Sequence, residues 1–197
     1  MDSVILARHG ESIFSERLLM NGEVAVSGPL TQKGEEEARR LGHKIADVAI
    51  DLCITTEFER TRQTADVALA GRDVPRLVMP ELNDPRYGRF EGRSLEDYRS
   101  WAAANTSGDP APGGGESRRH IVERYVRGFR LVLARAEEHI LVVAHSLPIA
   151  YALAARDGTP PGRRVPLVEH AHPYTLAAEE LERAVNLLED WCVAPTW

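Results

Sequence analysis

The sequence feature that most constrains this chain is a short apolar run that ends in charged residues. Residues 4–7 are Val-Ile-Leu-Ala, and Arg8, His9 and Gly10 follow them directly. An apolar run rich in Val and Ile predicts a buried strand. Gly10 ends it, at a point where the backbone needs either a positive φ or a close approach to a ligand. His9 is therefore expected at the carboxyl end of a strand, the edge at which open α/β sheets bind ligands.

Strand-like and helix-like segments alternate along the rest of the chain. Strands are predicted over 51–55, 76–79, 140–144 and 174–177, and helices over 31–48, 56–69, 94–101, 117–136, from 146 onward and 179–188. This alternation favours a mostly parallel sheet with helices on both faces. The length of 197 residues suits one domain spanning 1–197. A Pro- and Gly-containing stretch at about 81–116 is expected to be a loop and helix excursion from it.

Local capping signals predict where several of these helices begin. Thr31 is a plausible N-cap residue, Thr56 to Glu59 has the spacing of a capping box, and Ser146 follows His145 in a position to cap the next helix. Helix N-termini at Thr56 and Ser146 would add backbone N–H donors beside the strand ends.

Composition narrows the possible partners. The formal net charge is −6, which argues against nucleic acid, because phosphate backbones are bound by broad basic surfaces. Cys53 and Cys192 are too few for a disulfide framework, and no Cys/His spacing predicts a zinc site. No signal peptide or membrane-spanning run is recognised, so a cytoplasmic location with no membrane partner is expected.

Two predicted strands end in histidine, His9 and His145. Arg8 and the helix residue Arg60 would add fixed positive charge beside them. Two arginines, two histidines and helix N-termini suit a phosphoryl group, whose transfer needs positioning and stabilisation of negative charge. Imidazole can also form a covalent phosphoryl intermediate, which makes His9 a candidate nucleophile.

Six short strings then match a known family in order along the chain. They are Arg8-His9-Gly10-Glu11-Ser12, Leu30-Thr31-x-x-Gly34, Arg60-x-x-Gln63-Thr64-Ala65, Leu82-Asn83-x-x-x-Tyr87-Gly88-x-x-Glu91-Gly92, Gly115-Glu116-Ser117 with Arg124 seven residues on, and Val142-Val143-Ala144-His145. On these strings the chain resembles the histidine phosphatase superfamily, in its phosphoglycerate mutase-like branch.

The resemblance implies a three-layer α/β/α sandwich around a mostly parallel mixed sheet. It implies that His9 accepts the phosphoryl group while Arg8, Arg60 and His145 hold its oxygens. The expected activity is metal-independent hydrolysis of a small phosphorylated metabolite through phosphohistidine, without a cofactor. A phosphoglycerate-type mutase and a non-catalytic binder of phosphorylated ligands are the alternatives, and the oligomeric state, a homodimer included, is left open.

Three positions depart from the family pattern. Many members have Glu as the acid four residues before the loop glycine, and this chain has Asp84 before Gly88. Asp84 is ranked first as general acid, ahead of Glu81 and Glu91. Ser15 stands where an Asn often lies near the phosphate, and Ser146 replaces a common Gly, so both serines are candidate phosphate contacts.

Several further residues have weaker predictions. Glu11 and Thr64 are expected to orient their neighbours. His170 and His172 could form a metal pair or line the substrate pocket, although two histidines two apart are mostly incidental. Arg86 and Arg89 hint at a second anionic group, although solvated arginines are the safer interpretation. The pocket walls are expected from 13–29, 83–89 and 105–115.

Overall fold

The computed structural model describes all residues from 1 to 197. Its centre is a five-stranded sheet in the order β3-β2-β4-β1-β5. The strands are β1 (Ser3–Arg8), β2 (Leu52–Thr55), β3 (Arg76–Val78), β4 (His139–Ala144) and β5 (Pro173–Ala177). The first four run parallel, and β5 pairs antiparallel with β1. The mostly parallel mixed sheet predicted from the sequence is confirmed.

Helices cover both faces of this sheet. They are α1 (Gln32–Lys44), α2 (Glu59–Ala68), α3 (Leu95–Ala104), α4 (Arg118–Leu133), α5 (Ser146–Arg156) and α6 (Ala178–Val193). One buried cluster joins the sheet to α1 and α2, and a larger one joins its other face to α4, α5 and α6. These are the three layers of an α/β/α sandwich. None of the helices has both the length and the apolar character needed to cross a membrane.

Side chains cap three helices, and the cap predicted at Thr31 is one of them. The hydroxyls of Thr31, Ser94 and Ser117 accept hydrogen bonds from backbone N–H groups in the first turns of α1, α3 and α4. Each cap satisfies one of the N–H groups that a helix start leaves without a partner.

The caps predicted at Thr56 and Ser146 are wrong, although α5 begins at Ser146 as predicted. The helix α2 begins three residues after Thr56, behind Phe58, with no side-chain cap. Thr56 instead places its hydroxyl against Thr61 and His145. Ser146 is the first residue of α5, and its Oγ accepts a hydrogen bond from the N–H of Val168, 3.1 Å away. In both cases the hydroxyl that local spacing predicted as a helix cap instead forms a hydrogen bond with a residue distant in sequence.

The segment between β3 and α4 leaves the sandwich and covers the carboxyl edge of the sheet. It contains two short 3₁₀ helices, Pro80–Leu82 and Gly88–Phe90, followed by α3. Its own small core is built around three aromatic side chains, Tyr87, Phe90 and Tyr98. The excursion therefore packs as an ordered unit over the end of β1.

Gly10 makes its close approach to another glycine. Its φ is not positive, and a Cβ on it would lie 2.3 Å from the carbonyl oxygen of Gly34 in α1. A Cβ on Gly34 would in turn lie 2.0 Å from the carbonyl oxygen of Glu11. The backbone after β1 thus lies directly against the start of α1, and the prediction of a positive φ at Gly10 is wrong.

Replacing Gly34 tests this contact. Alanine inside a helix normally gains about 1 kcal/mol over glycine, but here we expect Gly34→Ala to lower the free energy of unfolding by about 1–3 kcal/mol, because the backbone must move. Urea denaturation measures the change. Gly108→Ala is the control, since its nearest contact would be at 3.9 Å. Equal stabilities for the two variants would contradict the contact.

Candidate active site

Adjacent parallel strands bring the two histidines together. The register of β1 with β4 places Arg8 opposite Ala144, so His9 and His145 follow at the same edge. Their ring centroids are 5.4 Å apart. The sequence prediction that both histidines lie at one sheet edge is confirmed.

Arg60, from the first turns of α2, lies between them. Its Nε donates to His9 Nε2 at 3.2 Å, and its Nη2 lies 2.7 Å from Asp84 Oδ2 and 3.3 Å from His145 Nδ1. The other donors of the guanidinium reach the side-chain and main-chain oxygens of Asn21. Arg60 is therefore held on every side, with its positive charge at the centre of the cluster.

His9 has the tautomer that a nucleophile needs. Its Nδ1 lies 2.7 Å from the carbonyl oxygen of Gly10, which can only accept, so Nδ1 carries the proton. The lone pair is then on Nε2, facing Arg60. Burial lowers the pKa of His9 well below 6.5, and the charges of Arg60 and Arg8 lower it further. The imidazole is thus neutral at neutral pH.

His145 is completely buried behind the cleft wall. Its Nε2 lies 2.9 Å from the Thr56 hydroxyl, and its Nδ1 lies 3.1 Å from Asp84 Oδ2. Burial lowers its pKa to about 4, against the opposing effect of Asp84. The neutral ring therefore donates from Nδ1 to the carboxylate and accepts at Nε2.

Asp84 is ionised in this arrangement, and its role as general acid stays a prediction. Burial acts to raise its pKa, but the interactions with His145 and Arg60 outweigh burial and hold the pKa below 3.8. Its loop is fixed by Arg124, whose Nη1 lies 2.9 Å from the carbonyl oxygens of both Glu81 and Asn83. The carboxylate thus occupies the donors that the sequence analysis assigned to phosphoryl oxygens.

The rival acids lie elsewhere. Glu91 accepts from the backbone N–H groups of Gly22 and Tyr87 and so ties two loops together. Asp84 is the only carboxylate that lines the cleft, and Glu81 does not line it. The geometry therefore supports ranking Asp84 first.

The cleft holds about 920 Å³, including the space at its open mouth. Arg8, His9, Ser15, Arg60, Asp84 and Ser146 all line it, whereas His145 lies behind them. Arg8 donates from Nη1 to the Val168 carbonyl, and its buried Nε has no partner. Burial lowers the pKa of Arg8 to about 10, so it remains charged at neutral pH. Its free N–H is a donor available to an anion.

The two candidate serines are occupied with backbone groups. Ser15 Oγ lies 2.8 Å from the N–H of Ser12 and closes the turn after the β1 loop. Ser146 Oγ accepts from Val168. Both side chains border the cleft. Their proposed contact with phosphate remains a prediction.

Glu11 and Thr64 orient their neighbours, as the sequence predicts. Thr64 Oγ1 accepts from the N–H of Gly10 and donates to the Arg60 carbonyl, which joins the β1 loop to α2. Glu11 pairs with Thr31 and with Lys33 at the start of α1.

Sequence reasoning missed several residues of the site. Asn21 lies within the wall segment predicted at 13–29, but its contact with Arg60 was not predicted. The walls also include residues from α3, the start of α4 and 163–167, whereas 105–115 contributes none. Arg86 and Arg89 are exposed and do not line the cleft, which agrees with the interpretation that they are solvated. Four other arginines line it, Arg99, Arg118, Arg163 and Arg164.

His170 and His172 have separate partners. His170 Nδ1 lies 2.8 Å from the His9 carbonyl oxygen, and His172 lies near Lys44 and Glu169. The possible ligand atoms of His9, Asp84 and His145 lie within 4.8 Å of one another. Arg60 donates to His9 and Asp84 and lies 3.3 Å from His145 Nδ1, and its charge opposes a cation there.

The buried histidines predict how stability depends on pH. Unfolded histidines protonate near pH 6.5, whereas His9 and His145 stay neutral when folded, so the unfolded state binds more protons below that pH. The free energy of unfolding therefore falls as the pH falls. The contribution of His145 is lost between about pH 6.5 and about pH 4. Asp84 contributes only below 3.8, outside this range.

We expect the free energy of unfolding to drop by about 2–4 kcal/mol between pH 7 and 5, by urea denaturation at each pH. His145→Asn, which keeps a neutral N–H donor, should remove about half of that drop. His120→Asn, at an exposed histidine of α4, should leave it unchanged. If the free energy of unfolding of the native chain did not vary over this pH range, His9 and His145 would not both be neutral in the folded state.

The fold and the site together define an α/β protein with a positively charged cleft and a neutral histidine at the carboxyl edge of its sheet. Such an arrangement suits the binding of a phosphoryl group. The chain belongs to the histidine phosphatase superfamily, whose branch 1 family model matches residues 4–190. The family resemblance seen in the sequence is confirmed.

The relatives include phosphatases and mutases. The chain is 31% identical over 158 residues to an adenosylcobalamin/alpha-ribazole phosphatase of Salmonella typhimurium, with 76% of each chain covered. It is 30% identical to a 2,3-bisphosphoglycerate-dependent phosphoglycerate mutase of a Methylobacterium species, with 94% of this chain and 97% of the relative covered. The crystal structure of the alpha-ribazole phosphatase from Shigella flexneri superposes with a TM-score of 0.71 at 28% identity, over 88% of this chain and 89% of that one.

Proposed function

We propose that this chain hydrolyses phosphomonoesters of small metabolites through a phosphohistidine formed on His9. The observation that carries the proposal is the tautomer of His9. Its proton is held on Nδ1 by the Gly10 carbonyl, so its lone pair is on Nε2, where it accepts from Arg60 Nε at 3.2 Å and must leave this donor to attack. A neutral imidazole fixed in this way is ready to attack phosphorus. The relatives named as phosphatases support the same reaction class.

Binding begins with an exchange of anions. The incoming phosphoryl group takes the Nη2 donor of Arg60 and the Nδ1–H of His145, which Asp84 holds in the empty cleft. The free Nε of Arg8 supplies a further donor. Asp84 has then lost its hydrogen bonds to Arg60 and His145 and lies beside a second anion. Both changes raise the pKa of Asp84, so that it takes a proton from solvent.

Phosphoryl transfer follows in line. His9 Nε2 forms a bond to phosphorus as the bond to the ester oxygen breaks, and the Asp84 proton passes to that oxygen. In the second step Asp84 takes a proton from water, the water oxygen bonds to phosphorus, and the P–N bond breaks. The alcohol and inorganic phosphate are the products. Arg8, Arg60 and His145 stabilise the equatorial oxygens in both steps.

The relatives named as mutases make transfer to a second hydroxyl the second candidate. Hydrolysis releases phosphate from the enzyme, whereas a mutase returns it to substrate. Incubation with 3-phosphoglycerate, with free phosphate and 2-phosphoglycerate measured in the same samples, separates the two. We expect free phosphate to accumulate without the isomer; accumulation of the isomer alone would assign the chain as a mutase.

A phosphoryl-binding protein without turnover is the third possibility from the sequence. Phosphohistidine that forms from a labelled aryl phosphate and is never released would favour it. The single-domain organisation and the cytoplasmic location remain predictions.

A further inference from the structure

The cleft is far more positive than one phosphoryl group requires. Six arginines line it with one carboxylate, although the whole chain carries a net charge of −6. Arg8 and Arg60 lie beside His9. The other four come from α3, α4 and the loop before β5, and a bound phosphoryl dianion neutralises only two of the six.

Arg118 is the least expected of these charges. Its side chain is buried, with 8% of the residue exposed. Its only hydrogen bond is from Nη1 to the hydroxyl of Tyr151, at 2.7 Å, and its guanidinium lies 5.9 Å from the Tyr98 ring. No carboxylate pairs with it. A buried cation without a counter-ion is unfavourable unless a ligand supplies the opposite charge.

Helix stability does not explain Arg118 either. It is the first residue of α4, where the helix dipole disfavours a positive charge. Its neighbour Arg119, in contrast, is solvent-exposed and pairs with Glu123 one turn further on. Arg118 thus keeps its charge in an unfavourable position, with its side chain bordering the cleft.

The remaining arginines add positive charge around the mouth of the cleft. Arg99 donates to the Val165 carbonyl, and Arg163 donates to carbonyls at the end of α3. Arg164 is exposed and lies 3.5 Å from Glu96. The guanidiniums of Arg99 and Arg163 pair with no carboxylate, so their charge also remains available to a ligand.

We propose that the cleft takes phosphomonoesters that carry a second anionic group, a carboxylate or a second phosphate, and that Arg118 binds that group. Guanidinium groups bind both anions through paired hydrogen bonds. This assignment rests on the proposed phosphatase activity and specifies the substrate class of the same cleft. Arg99, Arg163 and Arg164 raise the local concentration of such substrates.

Matched substrate pairs test the assignment. 3-Phosphoglycerate differs from glycerol 3-phosphate by a carboxylate, and fructose 1,6-bisphosphate differs from fructose 6-phosphate by a phosphate. Measured by phosphate release, kcat/KM should favour the member with two anionic groups by about ten- to a hundredfold in at least one pair. The pair that responds identifies the second group.

Variants then locate the preference. Arg118→Gln should bring the ratio of kcat/KM values within the responding pair close to one, and Arg118→Lys should keep part of it. Arg119→Gln is the matched control and should keep the full ratio. A purely structural role of Arg118 would change both members of a pair equally and leave the ratio intact, which would overturn the assignment.

Two measurements keep the test decisive. If Arg118→Gln does not fold, Arg164→Gln at an exposed position should still lower the ratio of kcat/KM values within the responding pair, by a smaller factor. Equal kcat/KM values within both pairs for the native chain would refute the proposal. If the native chain releases no phosphate even from 4-nitrophenyl phosphate, hydrolysis is refuted instead. Calorimetric binding of the same four compounds to the native chain and to Arg118→Gln then decides the second anion site by itself.

Discussion

His9→Ala is expected to abolish phosphate release. Without the imidazole no phosphoryl–enzyme bond can form, and loss of a nucleophile typically costs a factor on the order of a million in kcat. Release of 4-nitrophenol measures the steady-state rate. Rapid quenching with a labelled aryl phosphate should trap acid-labile, base-stable label on the native chain and none on the variant.

The control is a histidine outside the cleft. His139 starts β4 and contacts Ser3 at the opposite edge of the sheet. His139→Ala should keep the labelling and the rate. Substantial turnover in His9→Ala, or label that persists there, would remove His9 from the mechanism and leave the chemistry to another group.

Asp84→Asn is expected to produce a defect that depends on the leaving group. General acid catalysis contributes about a hundred- to ten-thousand-fold, so hydrolysis of an alkyl phosphate should slow by that factor. 4-Nitrophenyl phosphate should be much less affected, because its leaving oxygen needs no proton. Comparing kcat for the two substrates in both proteins measures the effect.

The same variant tests the exchange of anions. In the native chain the Asp84 carboxylate competes for donors of Arg60 and His145. An amide competes less well, so inorganic phosphate should inhibit Asp84→Asn more strongly, by about tenfold in Ki. Asp84→Glu, which keeps the charge, is the control and should not show tighter inhibition. Equal losses for both substrates and an unchanged Ki would point to another acid.

Much of the scaffold could be predicted from local sequence. The run before Arg8 and the run before His145 are continuous apolar stretches between polar segments, and such runs form buried parallel strands. Because the two strands are neighbours in the sheet, the histidines that follow them meet at one edge. Arg60 follows from the same logic, since α2 begins at the same edge.

Contacts between distant segments were harder to predict. Thr56 and Ser146 had the right spacing for helix caps, but His145 and Val168 are their actual partners. A hydroxyl binds whichever partner the fold brings to it, and sequence spacing reports only the nearby candidates. For the same reason the contact of Asn21 with two donors of Arg60 was not predicted, although 13–29 was expected to form a pocket wall.

The sequence by itself determined the succession of strands and helices along the chain and the residue types at the strand ends. The pairing of β1 with β4, which brings His9 beside His145, is a property of the tertiary structure. Only the tertiary structure decided the charge states. His9 is neutral because it is buried against two guanidiniums, Asp84 is ionised because its loop brings it to Arg60, and Arg118 is a buried cation because α3, α4 and α5 surround it. Burial and charge partners are set by residues far apart in the chain, and a linear pattern contains neither.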